Sequence, residues 1–389
     1  MAGILNVTVD YTKESGGSAV SVQQFSQALD AQTVSLTRPQ SLSASGSYSD
    51  DCIHIPVDDS FMGNAYGYLS KRNVHQLRNL IRNADLVICH LLFRHHNQII
   101  LEECVANDIP YIIVPHGGLD PYVFTYRSAR KRAWFVLIGN RLFRNASAVI
   151  YATDKEMAKA IHRVSSARGQ VIGWPVREPQ NIDRNTCREL VWSRYGLIRD
   201  KQLYLMLGRL HSMKRIFDAI RGFKAAELSN ALLLIVGPED EYTVKQLSSY
   251  AKNIGGVNVF ISGSVYGTEK EELLAASDFS LNTSHRENYG HSIVEGMSYG
   301  APAVLTPGND LASTLEQEGC AICCADYDDT SLVQALKRSE DMEENDVIAM
   351  RNRARKWVKN NATYDVFQHN LLNLVDGIMD RSARHDTMV

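Results

Sequence analysis

The sequence predicts an α/β protein built from two doubly wound parallel-sheet domains in tandem. Its 389 residues exceed one ordinary domain and suit two. Short β-branched or aliphatic runs alternate with helix-length stretches throughout, the pattern of parallel strands joined by helical crossovers. A composition of 44% hydrophobic and 22% charged residues, with 10 Pro and 25 Gly, supplies two cores. That composition excludes disordered, collagen-like and disulfide-scaffold chains.

The first series of expected strands is Ile4–Val9, Thr33–Leu36, Leu86–His90, Tyr111–Pro115, Ala148–Ala152 and Val171–Ile172, with helices such as Ser18–Leu29, Asn73–Ile81 and Gln98–Asn107 between them. Gly173-Trp-Pro-Val-Arg-Glu-Pro179, followed by polar residues, punctuates the chain. The first domain is therefore read as 1–177 and the second as 178–360. The second series is Leu203–Leu207, Leu232–Val236, Val257–Ile261, Phe279–Asn282, Ala303–Thr306 and Ala321–Cys323. From Asp346 onward the chain reads as helix with a frayed tail. Two such domains are expected to place a ligand cleft at the carboxyl ends of both sheets.

Charge and cysteine content narrow the class. Lys+Arg 41 against Asp+Glu 44 gives a net charge of −3, so no nucleic-acid partner is demanded. Met1–Gln180 carries 18 basic and 15 acidic residues, so an anionic surface would meet this half first. Seven cysteines, an odd number, suit a reducing compartment. Cys320, Cys323 and Cys324 lie in an apolar run with no second CxxC and read as small buried hydrophobes. The opening MAGILNVTVDYTKESGG lacks a basic n-region, so no signal peptide is expected there. No apolar run approaches the ~20 residues of a membrane span. The expectation is a cytoplasmic protein whose membrane contact, if any, is peripheral.

Four segments after expected strands carry candidate chemistry. In Asp10-Tyr-Thr-Lys-Glu-Ser-Gly-Gly-Ser18, Gly16 and Gly17 precede a helix and let backbone approach a phosphate, or simply make a β–α turn. Val114-Pro-His116-Gly-Gly118 presents His116 at a strand end, as a polar ligand contact or a structural histidine. In Leu207-Gly-Arg209-Leu-His-Ser-Met-Lys214-Arg215, a guanidinium and an ammonium can converge on a diphosphate; the alternative is a solvated charged turn. In Thr283-Ser-His-Arg-Glu287-Asn-Tyr-Gly290-His-Ser-Ile-Val-Glu295-Gly-Met-Ser-Tyr-Gly300, two carboxylates flank backbone amides at a helix start. Such a nest suits a polyol and an oxyanion, because carboxylates accept strongly from hydroxyls. Either glutamate alone could instead be a surface residue or a lysine's ion-pair partner.

The second half resembles the retaining glycosyltransferases of family 4, of the GT-B fold, in their bacterial exopolysaccharide and O-antigen branch. The resemblance runs through Gly208-Arg-Leu-His, Val236-Gly-Pro-Glu-Asp, Ser262-Gly-Ser-Val-Tyr-Gly-Thr-Glu-Lys270, the Glu287/Glu295 pair and Gly300-Ala-Pro302; His116-Gly-Gly-Leu-Asp-Pro121 extends it to the first half. It implies two Rossmann-like domains facing each other across a cleft, with residues 361–389 returning to the first. It also implies transfer from an NDP-sugar to a hydroxyl of a glycan or lipid-linked oligosaccharide in cell-surface polysaccharide synthesis, without a metal or other cofactor. By the same resemblance His116, Arg209, Lys214 and Glu287 are catalytic. Gly16, Gly17, Ser264, Val265, Asn288, Tyr289, Gly290, His291, Ser292 and Glu295 hold the donor, its base lying against Val236–Glu239 and Ser264–Tyr266. A GT-B epimerase, which releases no sugar to an acceptor, is the alternative. Three departures stand out: Arg215 where the family usually has Gly, Asn282-Thr283 in place of a common Pro, and Gly173-Trp-Pro at the linker.

Other chemistry is read away. Asp326-Tyr-Asp328 contains DxD, but its place before Thr330-Ser-Leu-Val reads as a helix cap. His95-His96 has no companions at ligand spacing, so no metal site is expected. Pro121–Thr153 contains no acidic residue. On an ideal helix Arg127, Lys131, Trp134, Ile138 and Arg141 share a face that would meet an anionic membrane, the alternatives being a solvated basic face or contact with an anionic soluble acceptor, while Val136 and Phe143 anchor on the core.

Overall fold

A computed structural model describes residues 3–12, 17–38, 40, 47, 49–164, 168–179, 182–197 and 201–386, the side chains of Asn64 and of 383–386 excepted. The chain divides into two compact units, Met1–Trp174 with Tyr364–Val389, and Pro175–Thr363.

The first unit holds a seven-stranded sheet in the order β3-β2-β1-β4-β5-β6-β7, every neighbouring pair parallel. Its strands are β1 (Ile4–Val9), β2 (Gln32–Thr37), β3 (Ile53–Pro56), β4 (Leu86–His90), β5 (Tyr111–Val114), β6 (Ala148–Tyr151) and β7 (Gly169–Val171). The helices before β4 are α1 (Gly17–Leu29), α2 (Phe61–Tyr66) and α3 (Lys71–Arg82). After it come α4 (His95–Ala106), α5 (Ser128–Trp134), α6 (Asn140–Asn145) and α7 (Asp154–Ala160). In α3, Val74, Leu77 and Ile81 lie on the core at helical spacing, and the Ser70 hydroxyl caps the helix by accepting from Asn73 N–H. Helix α4 begins three residues before the apolar pattern predicts, because the Asn97 side chain accepts from Arg94 N–H and opens a polar first turn. Strand β3 went unpredicted: it is four residues long, and only Ile55 is buried.

The second unit holds a six-stranded parallel sheet, β10-β9-β8-β11-β12-β13. The strands are β8 (Gln202–Leu207), β9 (Ala231–Val236), β10 (Val259–Ser262), β11 (Phe279–Asn282), β12 (Ala303–Leu305) and β13 (Ala321–Cys323). All six residues of β9 are buried, which is why Ala-Leu-Leu-Leu-Ile-Val shows no alternation. Helices α8 (Arg184–Tyr195), α9 (Ile216–Ala226), α10 (Val244–Asn253), α11 (Gly267–Ala276) and α12 (His291–Ser298) link the strands in turn. Helices α13 (Ala312–Gln317), α14 (Asp329–Glu340) and α15 (Glu344–Asn361) complete this unit, and α16 (Tyr364–Asp386) belongs to the first. There, Phe367 packs edge-on against Phe25 of α1, 5.2 Å between ring centres, and Gln368 donates to the Ala28 carbonyl.

Asp278 anchors the second unit. Burial alone would raise its carboxyl, but Arg184 and Arg188 hold it below the usual carboxylate range, at 2.5 and 2.8 Å. Cys320 and Cys324 are buried and free, and burial pushes their thiols up to about 12 and about 11. They are core atoms. Asp328 caps α14, accepting from Ser331 N–H at 2.6 Å.

Candidate functional site

Each sheet reverses its strand order once, between β1 and β4 and between β8 and β11, and ligands of open α/β sheets bind at the carboxyl ends beside such points. The sequence-predicted residues of the second unit fall there. Arg209 follows β8 and pairs with Asp240 at 2.8 Å. Lys214, five residues on, forms an ion pair with Glu287 instead, and Ser284 Oγ donates to the same carboxylate at 3.3 Å. Thus Lys214 and Glu287 meet, while Arg209 is held by a carboxylate of its own.

Two straps fix this loop. Thr283 Oγ1 donates to the Lys214 carbonyl at 2.8 Å, and His285 N–H donates to the Met213 carbonyl. The departure from proline at Thr283 therefore supplies a tether. Glu287 N–H donates to Gly308 O and Asp310 N–H to Glu287 O, so the loop after β12 clamps the glutamate's backbone. Arg215 adopts a left-handed backbone (φ 52°), which accounts for glycine being usual there. Its guanidinium is held by Asp218 and the Tyr327 carbonyl, both at 2.6 Å.

Gly290 precedes α12 with φ 75°, and a Cβ there would lie 2.6 Å from Asn309 Nδ2. His291 and Ser292 supply the first amides of α12, so they and not Asn288 or Tyr289 open the helix. Burial lowers the pKa of His291, with Glu295 and Glu287 opposing. Glu295, in the second turn, pairs with Lys270 at 2.7 Å. Tyr289 Oη and Asn309 Nδ2 are buried and make no hydrogen bond among the described residues. Ser264 is exposed, but the Val265 side chain is buried in the core beside Leu234 and Leu273, so only its backbone can face a base. Asp240, Lys270 and Asn309 were not singled out in the sequence; the first two end quoted motifs, whereas Asn309 carried no signal.

In the first unit Gly17 is the exposed first residue of α1, and Gly16 lies outside the described residues. His116 follows β5 with φ 49°. Its Nε2 lies 3.0 Å from His90 Nδ1, and its ring lies 5.7 Å from that of Trp174. Gly117 N–H donates to buried Glu156 at 2.7 Å, pinning the turn.

The basic stretch corrects an expectation. Arg127 has a left-handed backbone and precedes α5, and residues Phe135–Gly139 form a single π-helical turn before α6. Both break the 100° progression. Lys131 Nζ donates to the Val123 and Tyr126 carbonyls, Trp134 packs 4.8 Å from Phe93, and Ile138 lies against the core. Lys131, Trp134 and Ile138 thus turn inward, whereas Arg127 and Arg141 of that expected face stay exposed. Val136, expected on the core, is instead 72% exposed, as is Leu137, while Phe143 is buried as expected. Arg132, Arg141 and Arg144 are exposed with them. Among the described residues, no helix is long and apolar enough to cross a membrane, and no group of three His, Cys, Asp or Glu could hold a metal.

Two family models match the chain: Glycosyltransferase Family 4 over residues 15–176 and Glycosyl transferases group 1 over residues 193–360. The chain belongs to the family-4-like glycosyltransferases of the GT-B fold. N-acetyl-alpha-D-glucosaminyl L-malate synthase of Bacillus anthracis is 28% identical over 156 residues; the match spans 38% of this chain and 39% of that relative. Anabaena HepE in complex with UDP has the same fold at 16% identity, with a TM-score of 0.74 over 96% of this chain and 100% of that one. WaaG, a glycosyltransferase involved in lipopolysaccharide biosynthesis, is 16% identical with a TM-score of 0.68 over 94% and 98%.

Proposed function

We propose that this protein is a retaining, metal-independent glycosyltransferase that moves a sugar from an NDP-sugar to a hydroxyl of a glycan or lipid-linked oligosaccharide in cell-surface polysaccharide synthesis. The carrying observation is the Lys214–Glu287 pair beside the Gly290 turn and the first amides of α12. That arrangement puts a cation, a hydroxyl acceptor and an anion-binding helix start within one loop system. HepE, whose structures contain UDP and UDP-glucose, supports a nucleotide-sugar donor.

In this reading Lys214 and Arg209 bind the diphosphate, while Glu287 with the Asn288 and Tyr289 backbone holds the sugar's hydroxyls. The amides of His291 and Ser292 receive phosphate, and Glu295 accepts from the ribose. Gly17 approaches the diphosphate and His116 contacts the sugar. As the anomeric carbon–oxygen bond breaks, the electron pair passes to the diphosphate, where the cations stabilise it. The acceptor oxygen attacks the same face, and its proton goes to the departing phosphate. Incubation with UDP-, GDP- and ADP-sugars tests this: nucleotide released from one donor should rise when acceptor glycan is added and should survive EDTA. Epimerised sugar, binding without turnover, or activity restored to an EDTA-treated enzyme only by Mn²⁺ or Mg²⁺ would contradict it.

The acceptor reading extends to an anionic membrane surface. Arg132, Arg141 and Arg144 beside exposed Val136 and Leu137 form the amphipathic combination that docks in a lipid headgroup layer. Three arginines would contribute about 3 kcal/mol near anionic lipid. In vesicle sedimentation at low salt, wild type should bind anionic but not zwitterionic vesicles, and Val136→Ser/Leu137→Ser should bind at least tenfold more weakly. Equal binding by wild type and an Arg132/Arg141/Arg144→Gln variant, or none by either, would remove the membrane role.

A further inference from the structure

Three adjacent strands of the first unit, β2, β1 and β4, bring charged side chains to their carboxyl ends. Arg38 directly follows β2, Asp10 directly follows β1, and Arg94 comes four residues after β4. Asp10 is engaged by Arg38, whose Nη2 lies 3.0 Å from Oδ2 and whose Nε donates to Oδ1 at 3.3 Å. Arg94 makes no ion pair among the described residues. Its Nη1 donates to the Ala65 carbonyl at 2.6 Å, which uses one of the five guanidinium N–H donors. The residue is nevertheless half-buried. Burial lowers the pKa of its guanidinium, with Asp10 opposing and Arg38 adding to the effect. Arginine withdrawn from water is ordinarily matched by an anion. Arg94, Arg38 and Asp10 line a small cleft with Val9, Leu36 and Gly67, whose inner space of about 10 Å³ admits a single water-sized atom.

The loop that delivers Arg94 is strained and pinned. Leu91 and Phe93 have left-handed backbones, φ 66° and 63°, which branched and aromatic side chains disfavour. Buried Asn97 holds them: its Oδ1 accepts from Arg94 N–H at 2.8 Å, and its Nδ2 donates to the Leu91 carbonyl at 3.0 Å. Leu91 N–H donates in turn to Val114 O. Strain of this kind persists only where the surroundings over-determine it, and it collects at ligand sites.

We propose that Arg94, with Arg38 beside it, recognises an oxyanion on the acceptor, a carboxylate or a phosphate, so that the acceptor is an acidic or phosphorylated sugar. This rests on the proposed transfer to a glycan hydroxyl. The planar guanidinium fork matches either anion with two parallel hydrogen bonds. The cations assigned to the donor, Arg209 and Lys214, belong to the second unit, which leaves Arg94 to the other substrate.

Ligand-observed NMR titrations of the full chain, without donor, test it with glucuronate, glucose 6-phosphate and glucose as probes. One of the two acids should bind at least about tenfold more tightly than glucose, and which one does so separates carboxylate from phosphate. Arg94→Gln should weaken that acid roughly 10–100-fold, the scale of losing a hydrogen-bonded charge. Arg94→Lys keeps the charge without the fork and should fall between the two, which keeps the test decisive if Arg94→Gln does not fold. Affinity for UDP, GDP and ADP should stay within about twofold of wild type in both variants, because the donor's cations lie elsewhere. Acids that bind no more tightly than glucose, or variants that bind the acid as wild type does, would overturn the proposal. Equal weakening of a nucleotide would also overturn it, by assigning Arg94 to the donor. Acid binding as expected from an enzyme that turns over no NDP-sugar would instead overturn the transferase reading and leave the anion site standing.

Discussion

Lys214→Ala is expected to lower turnover by roughly 10²–10³, the scale of losing one strong donor to developing charge. The reasoning is local. Lys214 sits seven residues beyond β8, its carbonyl is tethered by Thr283, and its ammonium already shares a carboxylate with the loop before α12. Removing it takes away a positioned positive charge and leaves the Glu287 carboxylate with the Ser284 hydroxyl. Arg209→Ala is expected to fall in the same range, although Arg209 is the more exposed cation and its Asp240 partner is reachable by water. Neither pair is deeply buried, so the unfolding temperature should hardly move. Steady-state kinetics beside thermal unfolding separate the two effects. Near-normal turnover in both variants would remove the diphosphate assignment, and a large loss of stability would recast Lys214 as a structural residue.

Gly237→Ala should produce a large stability loss. A Cβ at Gly237 would lie 1.8 Å from the Gly208 carbonyl oxygen, which is backbone and cannot rotate away. The two turns are also joined by hydrogen bonds, Gly208 N–H to Val236 O and Leu210 N–H to Pro238 O. To relieve the clash, the ends of β8 and β9 must separate, carrying Arg209 with them. Overpacking of this kind costs about 3 kcal/mol or more, which corresponds to a fall of roughly 6–12 °C for a unit of this size. Nucleotide affinity should drop as well. Gly377→Ala is the control, since a Cβ within α16 meets nothing and alanine is the better helix former. Calorimetry in which Gly237→Ala unfolds with the wild type would show that this contact is more compliant than its geometry implies.

The parallel-sheet architecture was legible because buried strands are continuous apolar runs and the crossovers repeat. The Glu287–Glu295 string was legible because a glycine, a helix start and two acids fall together. What escaped the sequence depends on contacts between distant segments. Nothing near Asn6 in the chain announces a hydrogen bond to His90, 84 residues away. The Gly308 and Asp310 clamp on Glu287 and the Thr283 tether on Lys214 are likewise products of strand order. The basic stretch was misread for a local reason: one π-helical turn and a left-handed Arg127 reassign its faces. A helical wheel contains neither.

The central claim is that the second unit binds a nucleoside diphosphate at the carboxyl ends of its strands. Hydrogen–deuterium exchange with and without UDP, GDP and ADP tests it most directly, because the readout is positional and needs no acceptor. The account predicts that one nucleotide slows exchange in Gly208–Arg215 and Glu287–Glu295, and that Lys214→Ala weakens this protection. Protection confined to other segments, or none with any of the three nucleotides, would contradict it.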